Sequence, residues 1–272
     1  MTMIVDEKKN GKTHVITFDN LASFYDYICN TPLNDSFRWY PLSSVNGTEK
    51  FTNTRSFDHA TELFKNGWDD MSAKLTQELK NIEHQIQPSQ KPRSVYDVQG
   101  YQACVPRYIQ GIPTNMIGRK NVPIKQKVIT LNKFIAYSCC VRASQIEEES
   151  IKALQIVKKL EAQGYRVNLN IVEQVSSGGF TYCLKIRIKS STEKLNISKV
   201  AFPLVHPSML RRLIFRFVET YPAIPASYCH GYGMPHDESQ VKENLGEHEY
   251  LLPRFIYRDI NSINTLEDLE RL

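Results

Sequence analysis

Residues 127–189 constrain the fold more tightly than any other part of the chain, because the hydrophobic period changes there from strand to helix to strand, with turn residues at each change. Val128-Ile129-Thr130-Leu131 is a β-branched, apolar run of the kind that forms a buried strand. Ser144-Gln145-Ile146-Glu147 has the spacing of a capping box, in which the serine hydroxyl accepts from the Glu147 backbone N–H and the carboxylate reaches back. Ile146, Ser150, Leu154, Val157 and Leu160 recur at helical spacing and Gly164 supplies a left-handed stop, which predicts a helix over 144–163. Tyr165, Val167, Leu169 and Ile171 then alternate with Arg166, Asn168 and Asn170. After the Ser176-Ser177-Gly178-Gly179 turn, Tyr182, Leu184, Ile186 and Ile188 alternate with Cys183, Lys185, Arg187 and Lys189. Period two around a glycine-rich turn predicts a hairpin with one apolar face. Strand, crossover helix, strand is a right-handed βαβ unit, so the first two strands run parallel and the third adds antiparallel. The expected class is α/β: a three-layer sheet with helices on both faces.

The N-terminal part reads as mostly helical with one short strand, Thr13–Phe18. Asn20 opens a helix with Leu21, Phe24, Tyr25 and Ile28 on one face. Ser56 caps another that Gly67 closes, and a third carries Met71, Leu75, Leu79, Ile82 and Ile86. Residues 87–93, polar and twice interrupted by proline, read as a linker. Three regions are expected: a helical 1–90, an α/β core at 91–235 and an irregular cover at 236–272. Within the core, Pro106 suits the first turn of a short helix and Gly111 its end. Pro207 opens a helix with Met209, Leu210, Leu213, Ile214, Phe217 and Val218 inward and Arg211, Arg212 and Arg216 at its rim.

At 272 residues and 41% hydrophobic the chain can bury a full core. No run of about eighteen apolar residues occurs, so neither a membrane span nor a signal peptide is expected. Cys29, Cys104, Cys139, Cys140, Cys183 and Cys229 form no framework spacing, which favours a reducing, intracellular setting. A formal charge of +5 without a block of like charges is mild for a dedicated nucleic-acid binder.

Several separated motifs carry a resemblance: Ser56-Phe57-Asp58-His59-Ala60-Thr61-Glu62-Leu63 with Gly67-Trp68, Tyr96-Asp97-Val98-Gln99-Gly100 with residues 106–113 and Asn115-Met116, residues 160–167, and Ala201-Phe202 with residues 206–212. Together they resemble a family of uncharacterised proteins encoded by bacteriophages and prophages. The resemblance implies the cytoplasm of a bacterial host, or the virion, as the setting, and no particular activity. The element order is in addition similar to the opening of a von Willebrand factor A type domain. Metal-binding members of that class hold Mg²⁺ with an Asp-x-Ser-x-Ser run after the first strand. Here Asn132 follows the strand and Ser138 comes six residues on, so the hard acidic oxygens are missing and no metal or other cofactor is expected.

Cys229, His230, His236 and His248 offer zinc-type ligands at separations that match no standard site, and the glycines of Gly231-Tyr232-Gly233 fit a tight turn as readily as a Cys/His nucleophile. No paired carboxylates, phosphate-cradling glycine loop or metal-ligand spacing can be read, so no catalytic residue is assigned. Arg166, Lys185, Arg187 and Lys189 share the polar face of the hairpin. They form either a basic ribbon for phosphate or an acidic protein patch, or a face that resists edge-to-edge association. With Arg211 and Arg212 they are the expected partner-binding residues. The function expected is a non-catalytic, phage-derived interaction protein with a protein partner in virion assembly or structure. The alternative is a nucleic-acid-associated protein acting through the basic hairpin face.

Overall fold

The computed structural model describes residues 3–8, 11–37, 41–44, 49–83, 90–123, 127–137, 141–177, 179–224, 238–252, 254 and 263–271. In chain order the elements are β1 (Met3–Lys8), β2 (Thr13–Phe18), α1 (Leu21–Asn30), α2 (Glu49–Thr52), α3 (Phe57–Asn66), α4 (Asp69–Glu83), β3 (Gln90–Asp97), β4 (Gln102–Ala103), α5 (Val105–Ile109), β5 (Met116–Pro123), β6 (Val128–Phe134), α6 (Ala143–Ala162), β7 (Arg166–Ser177), β8 (Phe180–Lys189), α7 (Ile197–Val205), a π-helical turn (Met209–Ile214), α8 (Phe215–Thr220), α9 (Glu238–Lys242), β9 (Glu249–Leu252) and α10 (Leu266–Glu270).

Six strands form the central sheet in the order β1-β2-β8-β7-β6-β9. β6 and β7 are parallel and β8 is antiparallel to β7, as the βαβ reading requires. β9 is parallel to β6, and β2 is parallel to β8. Helices lie on both faces, giving three unequal layers. Val167, Leu169, Ile171, Tyr182, Leu184, Ile186 and Ile188 enter one large core with α1, α3, α4, α6, α7 and α8. A smaller core on the other face joins Val15, Phe134, Ala136, Val172 and Cys183 to Val241 and Leu251. Leu154, Val157 and Leu160 of α6 are buried in the large core.

Strands from all three expected regions meet in the central sheet. β2 pairs along its whole length with β8, and β9 pairs with β6, so the chain's first and last parts complete the same sheet that residues 128–189 begin. Strand pairing across 168 residues of chain (Thr13 with Thr181) or 119 (Thr130 with Glu249) leaves no local trace in either segment. The cap of α6 also differs. Its helix starts at Ala143, and Gln145 Oε1, not the Glu147 carboxylate, accepts from the N-cap backbone, the Arg142 N–H, at 2.9 Å. Glu147 instead pairs with Lys74 of α4.

Residues expected as a linker contribute the start of β3, with Pro92 in that strand. Proline is admissible there because β3 is an edge strand of a second, antiparallel sheet, β3-β5-β4. Gly100 is required at its turn: a Cβ there would lie 2.3 Å from the Ile117 carbonyl oxygen, which already accepts from the Tyr101 N–H at 2.9 Å. Arg107 of α5 donates from Nε to Thr114 O at 2.9 Å and from Nη2 to Thr114 Oγ1 at 3.0 Å, closing the loop after the helix.

The expectation that Arg212 lies at a helix rim is overturned. The chain over 209–214 winds with i→i+5 spacing, which shifts the phase of the face and turns Arg212 inward to full burial. Its guanidinium donates to Ser43 O at 2.9 Å and to Thr54 O at 3.1 Å. The buried Glu219 carboxylate accepts from Ser43 N at 2.8 Å and Ser43 Oγ at 2.5 Å. This network holds the segments around residues 43 and 54 against the π-turn and α8. Replacing Arg212 with leucine strands the buried Ser43 carbonyl and leaves Thr54 O only its 3.3 Å bond from Thr52 Oγ1, and is expected to cost about 3 kcal/mol, read as a lower urea midpoint at unchanged slope. Arg212→Lys should fail to rescue it, because an ammonium lacks the planar fork that reaches both carbonyls.

Candidate interaction surface

The polar face of the β7–β8 hairpin is not a basic ribbon open to solvent. Lys185 is 5% exposed and its ammonium donates to Glu249 at 2.5 Å; Lys189 is 2% exposed, donating to Val167 O at 2.8 Å and pairing with Glu161 at 2.7 Å. Arg187, partly exposed, lies 3.7 Å from Asp19. Arg166 alone of the four is classed as exposed. Lys185 is covered because the chain from Val241 to Leu252 packs on its face and Glu249 arrives with it, and Lys189 is met by Glu161 of α6; no pattern within the hairpin announces either. Arg212 is a structural group, as described above. Arg211 lies over the rings of Phe51 and Phe215, with Nη2 3.5 Å from Tyr137 O.

Among the described residues no cluster of histidine, cysteine and carboxylate groups is arranged to hold a metal ion. Asn132 is buried and accepts from Asn170 Nδ2 at 3.0 Å, tying β6 to β7. Ser138, Cys229, His230, Gly231, Tyr232, Gly233 and His236 lie outside the described residues, and His248 pairs with the adjacent Glu247 at 3.5 Å.

Sequence reasoning missed an acid–base cluster at the carboxyl end of β6. Lys133 and Glu149 are 0% and 1% exposed and form a buried ion pair between the strand and α6. The Lys133 ammonium lies 5.4 Å from the centre of the Tyr137 ring. Burial pushes the Tyr137 hydroxyl well above its ordinary range, and Glu149 adds to the effect. Burial raises the Glu173 carboxyl to about 8, against the opposing pull of Arg254 and Arg211. These groups are packed among core residues, and among the described residues neither the Tyr137 hydroxyl nor Glu173 Oε2 has a hydrogen-bond partner, so no proton path there links them to the ion pair. The only hint in the sequence was a lysine and a glutamate interrupting otherwise apolar periods.

The exposed functional candidate is the small sheet with α5, residues 90–123, here called the arm. From residue 92 to 121 it contributes no side chain to either core. From residue 92 to 121 none is buried. Its large apolar side chains are bare: Tyr96, Val98, Tyr101, Val105 and Tyr108 are all more than half exposed and Ile109 is 76% exposed. Val105, Tyr108 and Ile109 have i, i+3, i+4 spacing and so share one face of α5. Five basic residues, Lys91, Arg93, Arg107, Arg119 and Lys120, against one acidic, Asp97, place +4 of the chain's +5 net charge in the arm. Arg93 and Lys120 are directly opposed across β3 and β5. The Arg107 and Arg119 guanidinium groups lie 4.3 Å and 5.5 Å from the ring centres of Tyr96 and Tyr101.

A family model described as a domain of unknown function (DUF7192) matches residues 5–271, body and arm together, and the chain belongs to that family. No curated protein and no solved structure matches the chain significantly.

Two outcomes test the buried cluster. A carboxyl whose folded pKa is raised from 4.5 to about 8 leaves stability untouched at low pH; between those values the unfolded chain ionises while the folded one does not, so stability falls as pH rises. Glu173→Gln should therefore gain in melting temperature over the wild type near pH 8 more than near pH 5; an equal separation at both would show that Glu173 is ionised in the fold. Lys133→Met alone should cost about 3–5 kcal/mol by leaving Glu149 buried without its cation, and Lys133→Met with Glu149→Leu should recover much of it.

Proposed function

We propose that this is a non-catalytic interaction protein of phage or prophage origin, acting in virion assembly or structure, and that it engages a protein partner through the arm. The observation that carries the reading is the bareness of the arm. A three-stranded sheet with no covered face contributes little stability of its own, and exposed apolar side chains grouped together mark association sites. The body, by contrast, buries the central strands of its sheet on both faces. The order β8-β7-β6-β9 around a parallel β6–β7 pair supports a von Willebrand A-like reading of the core as scaffold. No helix among the described residues is long and apolar enough to cross a membrane. The nucleic-acid reading through the β7–β8 face loses its support, because Lys185 and Lys189 are buried with carboxylates.

Gln90 and Pro123 are paired across β3 and β5, so a short Gly-Ser linker can replace residues 92–121 without stretching the chain. The shortened protein is expected to fold with a melting temperature close to that of the full chain. The full chain, co-expressed with each product of its neighbouring genes, should co-purify with at least one that the shortened protein does not retain. Equal retention by both would remove the arm from the interaction.

A further inference from the structure

On the basis of that reading, we infer that the arm's partner is a protein presenting an apolar recess flanked by carboxylates, which receives the Val105–Ile109 face while Arg93 and Arg119 meet the acidic rim. Three observations point to this chemistry. The first is the charge. With +4 of +5 on thirty-four residues, the rest of the chain is nearly neutral and offers the arm little internal counter-charge. Arg93 faces Lys120 across the ribbon, an opposition that destabilises the arm while nothing covers it. Lys120 is relieved by Asp97 at 2.5 Å, whereas among the described residues neither Arg93 nor Arg119 has a carboxylate partner. The second is the kind of apolar surface. Val98, Val105 and Ile109 are aliphatic, and a side chain exposed to 76%, like Ile109, gains from an apolar pocket rather than from a base edge or a phosphate. Of the basic groups, Arg107 is committed to Thr114 and Lys120 to Asp97, which leaves Arg93 and Arg119 to meet an anionic rim. The third is that both faces and the helix are open at once, which suits an enveloping protein surface better than a strand of nucleic acid laid along one face. Two copies of the arm repel one another by the same charge, which disfavours self-association.

The assignment separates the roles of the arm's residues. Val105, Tyr108 and Ile109 supply contact area and set the dissociation rate, while Arg93 and Arg119 set partner choice and the salt dependence of association. Both arginines are exposed, so Arg93→Gln with Arg119→Gln leaves the fold intact, checked by an unchanged melting curve.

The test is selection of a random-peptide display library on the full-length protein, counter-selected on the protein lacking residues 92–121, with oligothymidylate and oligouridylate as separate probes. The expected result is arm-dependent peptides that combine an aliphatic or aromatic anchor with aspartate or glutamate. Their binding should weaken about tenfold in the double glutamine variant and with a tenfold rise in salt, and be lost in Ile109→Asp. The oligonucleotides should show no retention. Arm-dependent peptides without acidic enrichment would overturn the charge assignment while leaving the arm as the docking site. Oligonucleotide binding that disappears in the double glutamine variant would overturn the protein assignment in favour of nucleic acid. Peptides that bind equally without the arm, or no binders at all, would overturn the inference together with the reading on which it rests.

Discussion

Burial of the central strands of the six-stranded sheet, β2, β8, β7 and β6, on both faces is the constraint on which the rest of the molecule depends. It brings strands from the two ends of the chain against the central βαβ unit, and it leaves little room for water beneath the layers. Any charge carried under a layer must then arrive with its counter-charge or hydrogen-bond partners, because an unpaired ion in such surroundings costs several kcal/mol. The pairs Lys133–Glu149, Lys185–Glu249 and Lys189–Glu161 meet that condition, as does Arg212 with the carbonyls of Ser43 and Thr54. Each joins segments that are distant in sequence or belong to different layers. The polar groups of the body thus specify which segment covers which face, more than they add net stability.

The arm follows the opposite rule. Its shape is set by local hydrogen bonds, by the close passage of Gly100 over Ile117 and by the Arg107–Thr114 closure, with no core beneath it. A ribbon organised this way keeps a defined shape while its apolar groups remain available. Net charge of one sign on the arm hinders collapse onto another arm and favours a partner of opposite charge. A body that pairs its buried lysines and an arm that leaves Arg93 and Arg119 without carboxylates among the described residues fit one design, a scaffold that displays an appendage.

The legible and illegible parts of the chain divide by the range of the interaction that decides them. Alternation in Tyr182-Leu184-Ile186-Ile188 and the helical spacing of Leu154, Val157 and Leu160 were readable because period and burial agree over a few residues. The same reading placed Lys185 and Lys189 on a solvated face. That inference needs one thing a period cannot supply, namely whether another segment lies over that face. Arg212 failed for a related reason: a π-turn changes the phase of the helix, and a 3.6-residue period assumes it does not change. The arm was half visible. Pro106 and Gly111 marked α5, but prolines at 88 and 92 suggested a linker where Pro92 occupies an edge strand.

The sequence by itself determined the class of fold, the parallel β6–β7 pair, the β7–β8 hairpin and the ends of α3, α5 and α6, because caps, turns and hydrophobic periods act between near neighbours. It also carried the charge of the arm, although that charge stands out only once the buried lysines of the body, Lys133, Lys185 and Lys189, are seen to be paired. Only the tertiary structure decided that β2 and β9 complete the sheet, that Lys185 and Lys189 are buried ion pairs, that Lys133, Tyr137, Glu149 and Glu173 converge, and that residues 92–121 are left uncovered. Those outcomes turn on which distant segments meet, and that choice is made by burial summed over the whole chain.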